Sequence, residues 1–510
     1  MAGNFIERET TIGDYDQDGQ SDTADDFQPG YIDGPRTDVS DLTRFTYWSE
    51  SSPGVTCLAA AGGGCGQVAT IEDALGYITT FDEYYPDGRL KQMTDPNGMV
   101  TTYTYDLRGR QDTVTETPAS GTARVTDYDY DDTGQLEKVT LPNGQILNYA
   151  WTAAHLLDYV TDNAGNKIDY SYDTRGNRTG EYLRGSSGIL RKSLAMVYGP
   201  RNQLDSLTDG NRPAANFHFD AAGLLQNETD SGGNFTDYEY DPLNRLQKVI
   251  DAVNGPASPT EYGYNVHDDL TLVETPNGAT TSYVYDDLGN LRKEVSPDRG
   301  TTLYGYDEAG NMTCKADGRH SGAATRCEDV SNAWTYQYDA INRVISIDYG
   351  ATVGPDVTLQ WATRAGATTQ VGRMRHVTYV QGTLTVIRKM DYDAWGNVTW
   401  SQQESDDGAT TKTLTTSYQY DGNNQIKQIS YPSGRVIDYT RSANGRITSI
   451  SATFQGATTT VVSAVSYSTT PFGPPRIFTY GNGLQRSAPL DLSYAATDLI
   501  LWDPSNTNVW

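Results

Sequence analysis

Residues 101–110, Thr-Thr-Tyr-Thr-Tyr-Asp-Leu-Arg-Gly-Arg, decide the fold of this 510-residue chain, because variants of the same stretch recur along most of its length. The shared pattern is Tyr-x-Tyr-Asp-x-x-Gly-x-Leu. The clearest copies place an aspartate and a glycine three residues apart, at Asp106 and Gly109, Asp131 and Gly134, Asp286 and Gly289, and Asp307 and Gly310. Internal repetition of this kind indicates a repeat architecture before any other signal is considered.

The repeat has a period of about 21 residues, interrupted by insertions. Asp220 and Asp241 are 21 residues apart, and so are Asp286 and Asp307. A unit of this length has room for two strands of ~5–6 residues and two turns of ~2–5 residues. The spacing therefore predicts one β-hairpin per repeat.

Each part of the motif has a structural interpretation. Alternation places Tyr103 and Tyr105 on one face of a strand. Asp106 begins the turn, and Gly109 supplies the positive φ that the turn needs. Return turns such as Pro96-Asn97-Gly98 combine a fixed dihedral with residues that accept left-handed ones. We predict an all-β fold of stacked hairpins in which the recurring aspartates shape turns and are not acid–base catalysts.

Composition favours a thin sheet over a thick core. Tyr outnumbers Phe by 36 to 10, and only 36% of the residues are hydrophobic. Tyrosine combines an apolar ring with a polar tip and so suits a sheet that is wetted on at least one face. We expect an extended, curved, thin sheet.

Charge and hydropathy exclude several classes of partner. The formal net charge is −28, which disfavours nucleic acid and anionic membranes, since both are bound through Lys and Arg patches. No run approaches the ~18 apolar residues of a membrane span, and the N-terminus has no basic-then-apolar signal peptide. We predict neither a nucleic-acid partner nor a membrane span.

Three segments are expected along the chain. Residues 1–50 differ in composition from the repeats and contain a metal-loop motif. Residues 51–486 form the repeat region, and residues 487–510 form a shortened or atypical last repeat.

The strongest chemical motif lies in the first segment and reads Asp-x-Asp-x-Asp-Gly-x-x-Asp-x-x-Asp. Calcium takes six to eight oxygen ligands, which EF-hand-type loops supply from positions 1, 3, 5, 7, 9 and 12 with glycine at position 6. In this order the ligands are Asp14, Asp16, Asp18, the Gln20 carbonyl, Asp22 and Asp25, with Gly19 at position 6. The segment is similar to the calcium loops of dockerin and thrombospondin type 3 modules, although no clear helices flank it. Calcium is the expected cofactor; a solvated acidic linker or a decayed repeat is the alternative.

The four cysteines form two close pairs, Cys57 with Cys65 and Cys314 with Cys327. Local disulfides would fit an oxidising destination, and free thiols are the alternative. Zinc is disfavoured because no further Cys or His lies at ligand spacing.

Catalytic motifs are absent from the sequence. The five histidines are scattered, and no nucleophile elbow, zinc-protease, P-loop or dinucleotide fingerprint occurs. We predict a non-enzymatic chain.

The recurring Tyr-x-Tyr-Asp, Pro-Asn-Gly and Gly-containing turns between about Leu75 and Leu484 resemble the RHS or YD-repeat family. Its members include bacterial polymorphic toxins, the cocoon of insecticidal Tc toxin complexes and animal teneurins. The resemblance implies a curved or spiral β-sheet ribbon that forms a hollow shell, here partial or open. In toxin members the shell encloses a C-terminal effector. The autoprotease segment of those toxins has no equivalent here, since Asp503-Pro504 lacks the glycines that follow, so self-cleavage is not expected.

Two functions follow from this resemblance and from the free edges of an open sheet. The first is a shell segment that encapsulates or presents a toxin or effector in a bacterial secretion or competition system, with the effector or other shell segments as partners. The second is a secreted fibre or cell-surface adhesin subunit that self-associates into filaments through exposed sheet edges. Both place the chain outside the cell or at its surface, by a route that the sequence does not identify.

Overall fold

The computed structural model describes residues 30–48, 66–251, 258–350, 355–363, 370–467, 472–493, 495 and 500–502. Within these ranges the chain forms 39 β-strands and one short 3-10 helix, Cys327–Asp329. The described pairings between strands are antiparallel, and within each compact unit the paired strands follow one another along the chain, as in β5 to β6 and β6 to β7. The prediction of an all-β fold built from stacked hairpins is confirmed.

The first half of the chain contains β1 Tyr31–Ile32, β2 Thr43–Tyr47, β3 Val68–Glu72, β4 Ile78–Tyr84, β5 Leu90–Thr94, β6 Val100–Tyr105, β7 Gln111–Thr117, β8 Arg124–Tyr130, β9 Leu136–Thr140, β10 Ile146–Trp151, β11 Leu157–Asp162, β12 Lys167–Tyr172, β13 Arg178–Arg184, β14 Leu190–Tyr198, β15 Leu204–Asp209, β16 Ala215–Phe219, β17 Leu225–Thr229, β18 Phe235–Tyr240 and β19 Leu246–Asp251. The second half contains β20 Thr260–Tyr264, β21 Leu270–Glu274, β22 Thr280–Tyr285, β23 Leu291–Ser296, β24 Gly300–Tyr306, β25 Met312–Ala316, β26 Trp334–Tyr338, β27 Val344–Asp348, β28 Val357–Trp361, β29 Met374–Gln381, β30 Leu384–Tyr392, β31 Val398–Asp406, β32 Thr411–Tyr420, β33 Ile426–Ser430, β34 Val436–Arg441, β35 Ile447–Phe454, β36 Ala457–Ser466, β37 Ile477–Tyr480, β38 Gln485–Ser487 and β39 Ile500–Trp502.

The chain divides into two compact units. The first unit contains the described residues of 1–125 and 283–418, and the second contains those of 126–282 and 419–510. The predicted boundary after residue 486 falls inside strand β38, and residues 49–65, around the other predicted boundary, lie outside the described ranges. The three-segment division stays a prediction.

The hairpins bury their side chains only partly, in keeping with the tyrosine-rich composition. Most strand positions are half-buried, and few apolar side chains are fully covered. The exception lies in the first unit, where Leu303 and Cys327 are both 0% exposed and pack in one cluster with Cys314, Ala316 and Ala333. This cluster lies beneath the insertion between β25 and β26.

Candidate functional site

The recurring aspartates direct their carboxylates into their own turns. Asp106 Oδ1 accepts the backbone N–H groups of Arg108 and Arg110, both at 2.9 Å, while the Gly109 N–H donates to the Asp106 carbonyl at 2.9 Å. Gly109 has a φ of +83°, in the left-handed region. The equivalent carboxylates of Asp131, Asp286 and Asp307 accept N–H groups in the same way, and Gly134, Gly289 and Gly310 have φ values of 97°, 82° and 78°. Carboxylates held in this way close turns.

These contacts stabilise the charged form of several turn aspartates. The Thr133 hydroxyl lowers the pKa of Asp131, and the Asn177 side-chain amide lowers the pKa of Asp173. The backbone N–H of Arg245 lowers the pKa of Asp241. A group whose pKa is lower in the folded state stabilises that state above its ordinary pKa of ~3.9, and the contribution is lost as the pH falls toward the folded value.

We therefore expect acid to destabilise the protein over a narrow range. The melting temperature should be constant between about pH 7 and pH 5 and should fall below about pH 4, where the turn aspartates become protonated. Circular dichroism melts at a series of pH values measure this. They should be repeated in about 0.5 M NaCl, because acid also reduces the repulsion among the many carboxylates of the chain and salt screens that repulsion. A melting temperature at pH 3 equal to that at pH 7 in high salt would contradict the expectation.

The second tyrosine of the motif ties neighbouring hairpins together. The hydroxyls of Tyr105, Tyr172 and Tyr240 donate to the carbonyls of Leu90, Leu157 and Leu225 at 2.9, 2.7 and 2.9 Å, in each case 15 residues earlier in the chain. In one copy an indole replaces the phenol, and Trp151 Nε1 donates to the Leu136 carbonyl at 2.8 Å. The polar tip thus satisfies a backbone acceptor, a role that phenylalanine lacks. Where insertions intervene the acceptor lies further back, as for Tyr338, whose hydroxyl donates to the Met312 carbonyl. Sequence reasoning missed these partners, although the leucine 15 residues before several of the tyrosines was visible.

Tyr240→Phe is expected to weaken local stability by about 1 kcal/mol, because the Leu225 carbonyl loses its donor. Hydrogen exchange of peptides covering β17 and β18 should accelerate in the variant. Tyr128→Phe is the matched control, since the Tyr128 hydroxyl has no hydrogen-bond partner within the described ranges. Equal acceleration by both variants would count against the tyrosine–carbonyl link.

Arginines connect successive turns. In the second unit, Arg175 Nη1 donates to the Gly199 carbonyl at 2.8 Å and to Asn202 Oδ1 at 3.2 Å. Arg245 Nη1 makes the equivalent pair of contacts, with the Asn265 carbonyl at 3.0 Å and Asp268 Oδ1 at 2.7 Å. Each guanidinium thus joins one turn to the turn of a following hairpin.

At the turn of the first unit that begins at Asp339, an arginine from outside the repeats makes this contact. Arg36 Nη1 donates to the Asp339 carbonyl at 2.5 Å and to Asn342 Oδ1 at 3.4 Å. Its side chain is 2% exposed, and it forms ion pairs with Asp38 at 2.7 Å and with Asp307 at 3.6 Å. The turn that begins at Asp307 has alanine at the position of Arg175, so the segment before β2 supplies the missing guanidinium. Sequence reasoning did not find this contact.

Arg36→Ala is expected to release residues 30–42 from the turns of the first unit, because the buried guanidinium is the group that bonds to Asp339 and Asn342. Limited proteolysis should cut this segment faster in the variant than in the parent protein. Arg108→Ala, at an exposed turn arginine, is the control. Unchanged cleavage of residues 30–42 in Arg36→Ala would show that other contacts hold the segment.

One departure from the repeat in the first unit is the insertion at residues 317–333, between β25 and β26. The structure joins Cys314 to Cys327 in a disulfide whose Cα atoms are 6.0 Å apart. Asp317 accepts from Arg319, and His320 Nδ1 lies 3.0 Å from Asp317 Oδ1. The neighbouring Ser321 donates its hydroxyl to the Thr301 carbonyl at 2.9 Å. Because that bond occupies the serine, the cluster does not form a nucleophile–base pair.

A cavity of about 340 Å³ lies beside this insertion. Three of its lining residues occupy opposite positions on neighbouring strands. In the register of the sheet Tyr304 lies opposite Lys315, and Lys315 lies opposite Trp334, so the three side chains lie next to one another. Lys315 Nζ lies 5.7 Å from both ring centroids. Burial and the nearby Glu294 raise the pKa of Tyr304 to about 12, so this phenol stays protonated at neutral pH. The cavity is lined by Asp298, Arg299, Thr302, Tyr304, Lys315, Asp317, Gly318, Arg319 and Trp334. An ammonium between two rings is suited to pairing with an anionic group.

Several predicted site residues lie outside the described ranges. These are the calcium-loop residues Asp14, Asp16, Asp18, Gln20, Asp22 and Asp25, and the cysteines Cys57 and Cys65. Among the described residues no group of three or more His, Cys, Asp or Glu side chains is placed to hold a metal ion. No helix in those residues is long and apolar enough to cross a membrane. Calcium binding and the Cys57–Cys65 pair stay predictions.

Comparison with known proteins agrees with the hairpin repeats. The family model described as RHS Repeat matches residues 84–123, 219–255, 264–301, 285–318 and 420–459. Two curated relatives are from Dickeya dadantii (strain 3937). The probable deoxyribonuclease RhsB is 26% identical over 224 residues, and the probable deoxyribonuclease RhsA is 28% identical over 229 residues. Each match covers 42% of this chain and 14% of the relative.

Two solved structures share the fold. One is the crystal structure of TcdB2-TccC3-Cdc42, with a TM-score of 0.65, 12% identity and coverage of 94% of this chain. The other is the Photorhabdus luminescens Tc holotoxin pore, with a TM-score of 0.63, 12% identity and the same coverage. In both comparisons the match spans 30% of the other chain.

Proposed function

Since this chain belongs to the RHS or YD-repeat family, we propose that it is a non-enzymatic structural segment of a toxin shell, which encapsulates or presents an effector in a bacterial secretion or competition system. The observation that carries the proposal is the likeness in fold to Tc toxin chains over 94% of the chain. The match spans 30% of the Tc toxin chain, so the proposed partners are an effector and other shell segments. Such a role places the protein outside the cell or at its surface.

The contacts within the repeats support a scaffold. The recurring polar side chains of the motif bond within the sheet itself, because aspartates close turns, tyrosine hydroxyls bond to backbone carbonyls and arginines connect turns. A wall built from such hairpins needs no thick core, since each hairpin is stabilised by its neighbours.

Purification from the native host tests the proposal. The protein is tagged at its own locus, isolated under native conditions and treated with trypsin before and after heating above its melting temperature. We expect a co-purifying polypeptide that resists trypsin until the shell is unfolded. Its immediate digestion, or its absence, would argue against containment. Long filaments in negative-stain images would favour the fibre or adhesin function instead.

A nuclease assay tests the non-enzymatic part of the proposal. The two curated relatives are named as probable deoxyribonucleases, but this chain matches only 14% of their length. We expect the purified chain to leave plasmid DNA intact in the presence of magnesium, with commercial DNase I as the positive control. Cleavage that co-elutes with the protein would refute a purely structural role.

We also propose that the loop from Asp14 to Asp25 binds calcium, on the basis of its six correctly spaced oxygen ligands. Isothermal titration calorimetry should detect one binding event in the parent protein, and Asp18→Ala should abolish it. Asp33→Ala, outside the loop, is the control. No calcium-dependent heat in the parent protein would rule the site out.

A further inference from the structure

Lys315 has no carboxylate partner within the part of the chain that the structure describes, although the protein is strongly acidic. Its side chain is half-buried, and its Nζ atom lies 5.7 Å from the ring centroids of both Tyr304 and Trp334. Four lysines of other hairpins, by contrast, each lie within 3.0 Å of a carboxylate oxygen, namely Lys91, Lys138, Lys248 and Lys389. The Lys315 ammonium is therefore available to an external anion.

The two rings beside this ammonium are held in place by contacts of their own. Tyr304 donates its hydroxyl to Glu294 Oε2 at 3.2 Å. Trp334 packs edge-to-face against Tyr349, with the ring centroids 5.2 Å apart. Because neighbouring side chains fix both rings, the walls of the cavity are arranged before a ligand binds, which lowers the entropic cost of binding.

The insertion and the turn between β23 and β24 flank the cavity. A Cβ atom at Gly318 would overlap the Arg299 carbonyl oxygen, so these two segments are in direct contact. Arg299 and Arg319 line the cavity from the two segments. Asp317 accepts from Arg319, whereas Arg299 forms no ion pair with any described residue. The cavity thus offers a second cation close to Lys315.

The charges and size of the cavity select the kind of ligand. Its lining has three positive side chains and two negative ones, which are Lys315, Arg299 and Arg319 against Asp298 and Asp317. A ligand with one negative charge balances this excess, whereas a dianion such as phosphate would leave a negative charge beside two aspartates. The volume of about 340 Å³ lies at the lower end of the ~300–1,000 Å³ of small-molecule sites.

We propose that this cavity binds a small aromatic carboxylate, whose anionic group pairs with Lys315 and Arg299 and whose ring packs against Trp334. Ammonium and guanidinium groups form charge-assisted hydrogen bonds with carboxylates, and aromatic rings pack favourably against one another. The cavity is open to solvent and provides few contacts, so we expect a dissociation constant of about 0.1–1 mM. This binding is independent of what the shell encloses.

Fluorine NMR with para-trifluoromethylbenzoate and the full chain tests the inference. The ligand resonance should broaden and shift as protein is added, and unlabelled benzoate should reverse the effect. The neutral amide para-trifluoromethylbenzamide keeps the ring but lacks the charge, so it should bind about tenfold more weakly or less. Inorganic phosphate and acetate should compete poorly, because phosphate carries excess charge and acetate lacks the ring.

Variants of Lys315 locate the site. Lys315→Gln removes the charge and should weaken binding of the fluorinated benzoate about tenfold or more, whereas Lys315→Arg keeps the charge and should retain binding. Lys412→Gln is the matched control, because Lys412 is an exposed lysine in β32, within the same unit but outside the cavity. Circular dichroism spectra verify that each variant is folded.

Four results would each overturn the proposal. The first is an unchanged ligand resonance with about 0.2 mM parent protein, a concentration at which a dissociation constant of about 1 mM is still detectable. The second is equal binding by the parent protein and Lys315→Gln, which would place the ligand elsewhere. The third is loss of binding in Lys315→Arg as well, and the fourth is equal binding of the amide and the carboxylate.

Discussion

Leu303→Ala is expected to lower the local free energy of unfolding around the insertion of the first unit by about 2–5 kcal/mol. Leu303 is 0% exposed and packs with Cys314, Ala316, Cys327 and Ala333, the one cluster of fully buried side chains described in that unit. Truncation removes apolar contacts and leaves a cavity, because the disulfide prevents the insertion from collapsing inward. Elsewhere the sheet has few buried side chains to compensate.

Hydrogen exchange measures this loss better than a single global melt. Contacts in repeat proteins are made between neighbours, so a local defect opens a few hairpins and leaves the others folded. We expect faster exchange in β24, β25 and β26, and little change in the second unit. Leu288→Ala is the control, since Leu288 is 68% exposed in a turn of the same unit. Matching exchange profiles for the two variants would show that the cluster does not hold the insertion in place.

Removing the Cys314–Cys327 disulfide is expected to destabilise the same region by about 3 kcal/mol, the usual size for a loop of about 15 residues. The bond closes a 13-residue separation and restricts the unfolded insertion. The double variant Cys314→Ala with Cys327→Ala should expose residues 317–333 to protease. When both proteins are denatured without reductant, the double variant should have the same number of free thiols as the parent protein.

Reduction of the parent protein provides an independent comparison. Reductant should reproduce the proteolysis pattern of the double variant at residues 317–333, and the double variant itself should not respond there to reductant. Resistance of the insertion to protease in both cases would mean that packing alone holds it. Because Leu303 contacts the disulfide, combining Leu303→Ala with the double variant should cost less than the sum of the two effects.

The periodic part of the fold was predictable because it is encoded locally. Strand alternation at Tyr103 and Tyr105 and the turn residues Asp106 and Gly109 act within a few residues of one another, so one copy of the motif specifies one hairpin. The tyrosine link to a carbonyl 15 residues earlier is still within one repeat period. It was missed because sequence shows the type of side chain but not its acceptor.

The candidate functional surfaces were less predictable because they depend on distant partners. Arg36 reaches a turn 303 residues away in sequence, and no local pattern marks that pairing. The row of Tyr304, Lys315 and Trp334 depends on the register of three strands on either side of an insertion. The close pair Cys314 and Cys327 was visible in the sequence, but the fully buried Leu303 beneath it was not.

The sequence by itself determined an all-β chain of hairpins, since repeated turns and alternating tyrosines act over short distances and do not need the rest of the molecule. Only the tertiary structure decided that Arg36 completes the turn at Asp339 and that, among the described residues of the first unit, a dense cluster forms around Leu303. The physical reason is that these features depend on the ends and interruptions of the repeat, where side chains far apart in sequence meet.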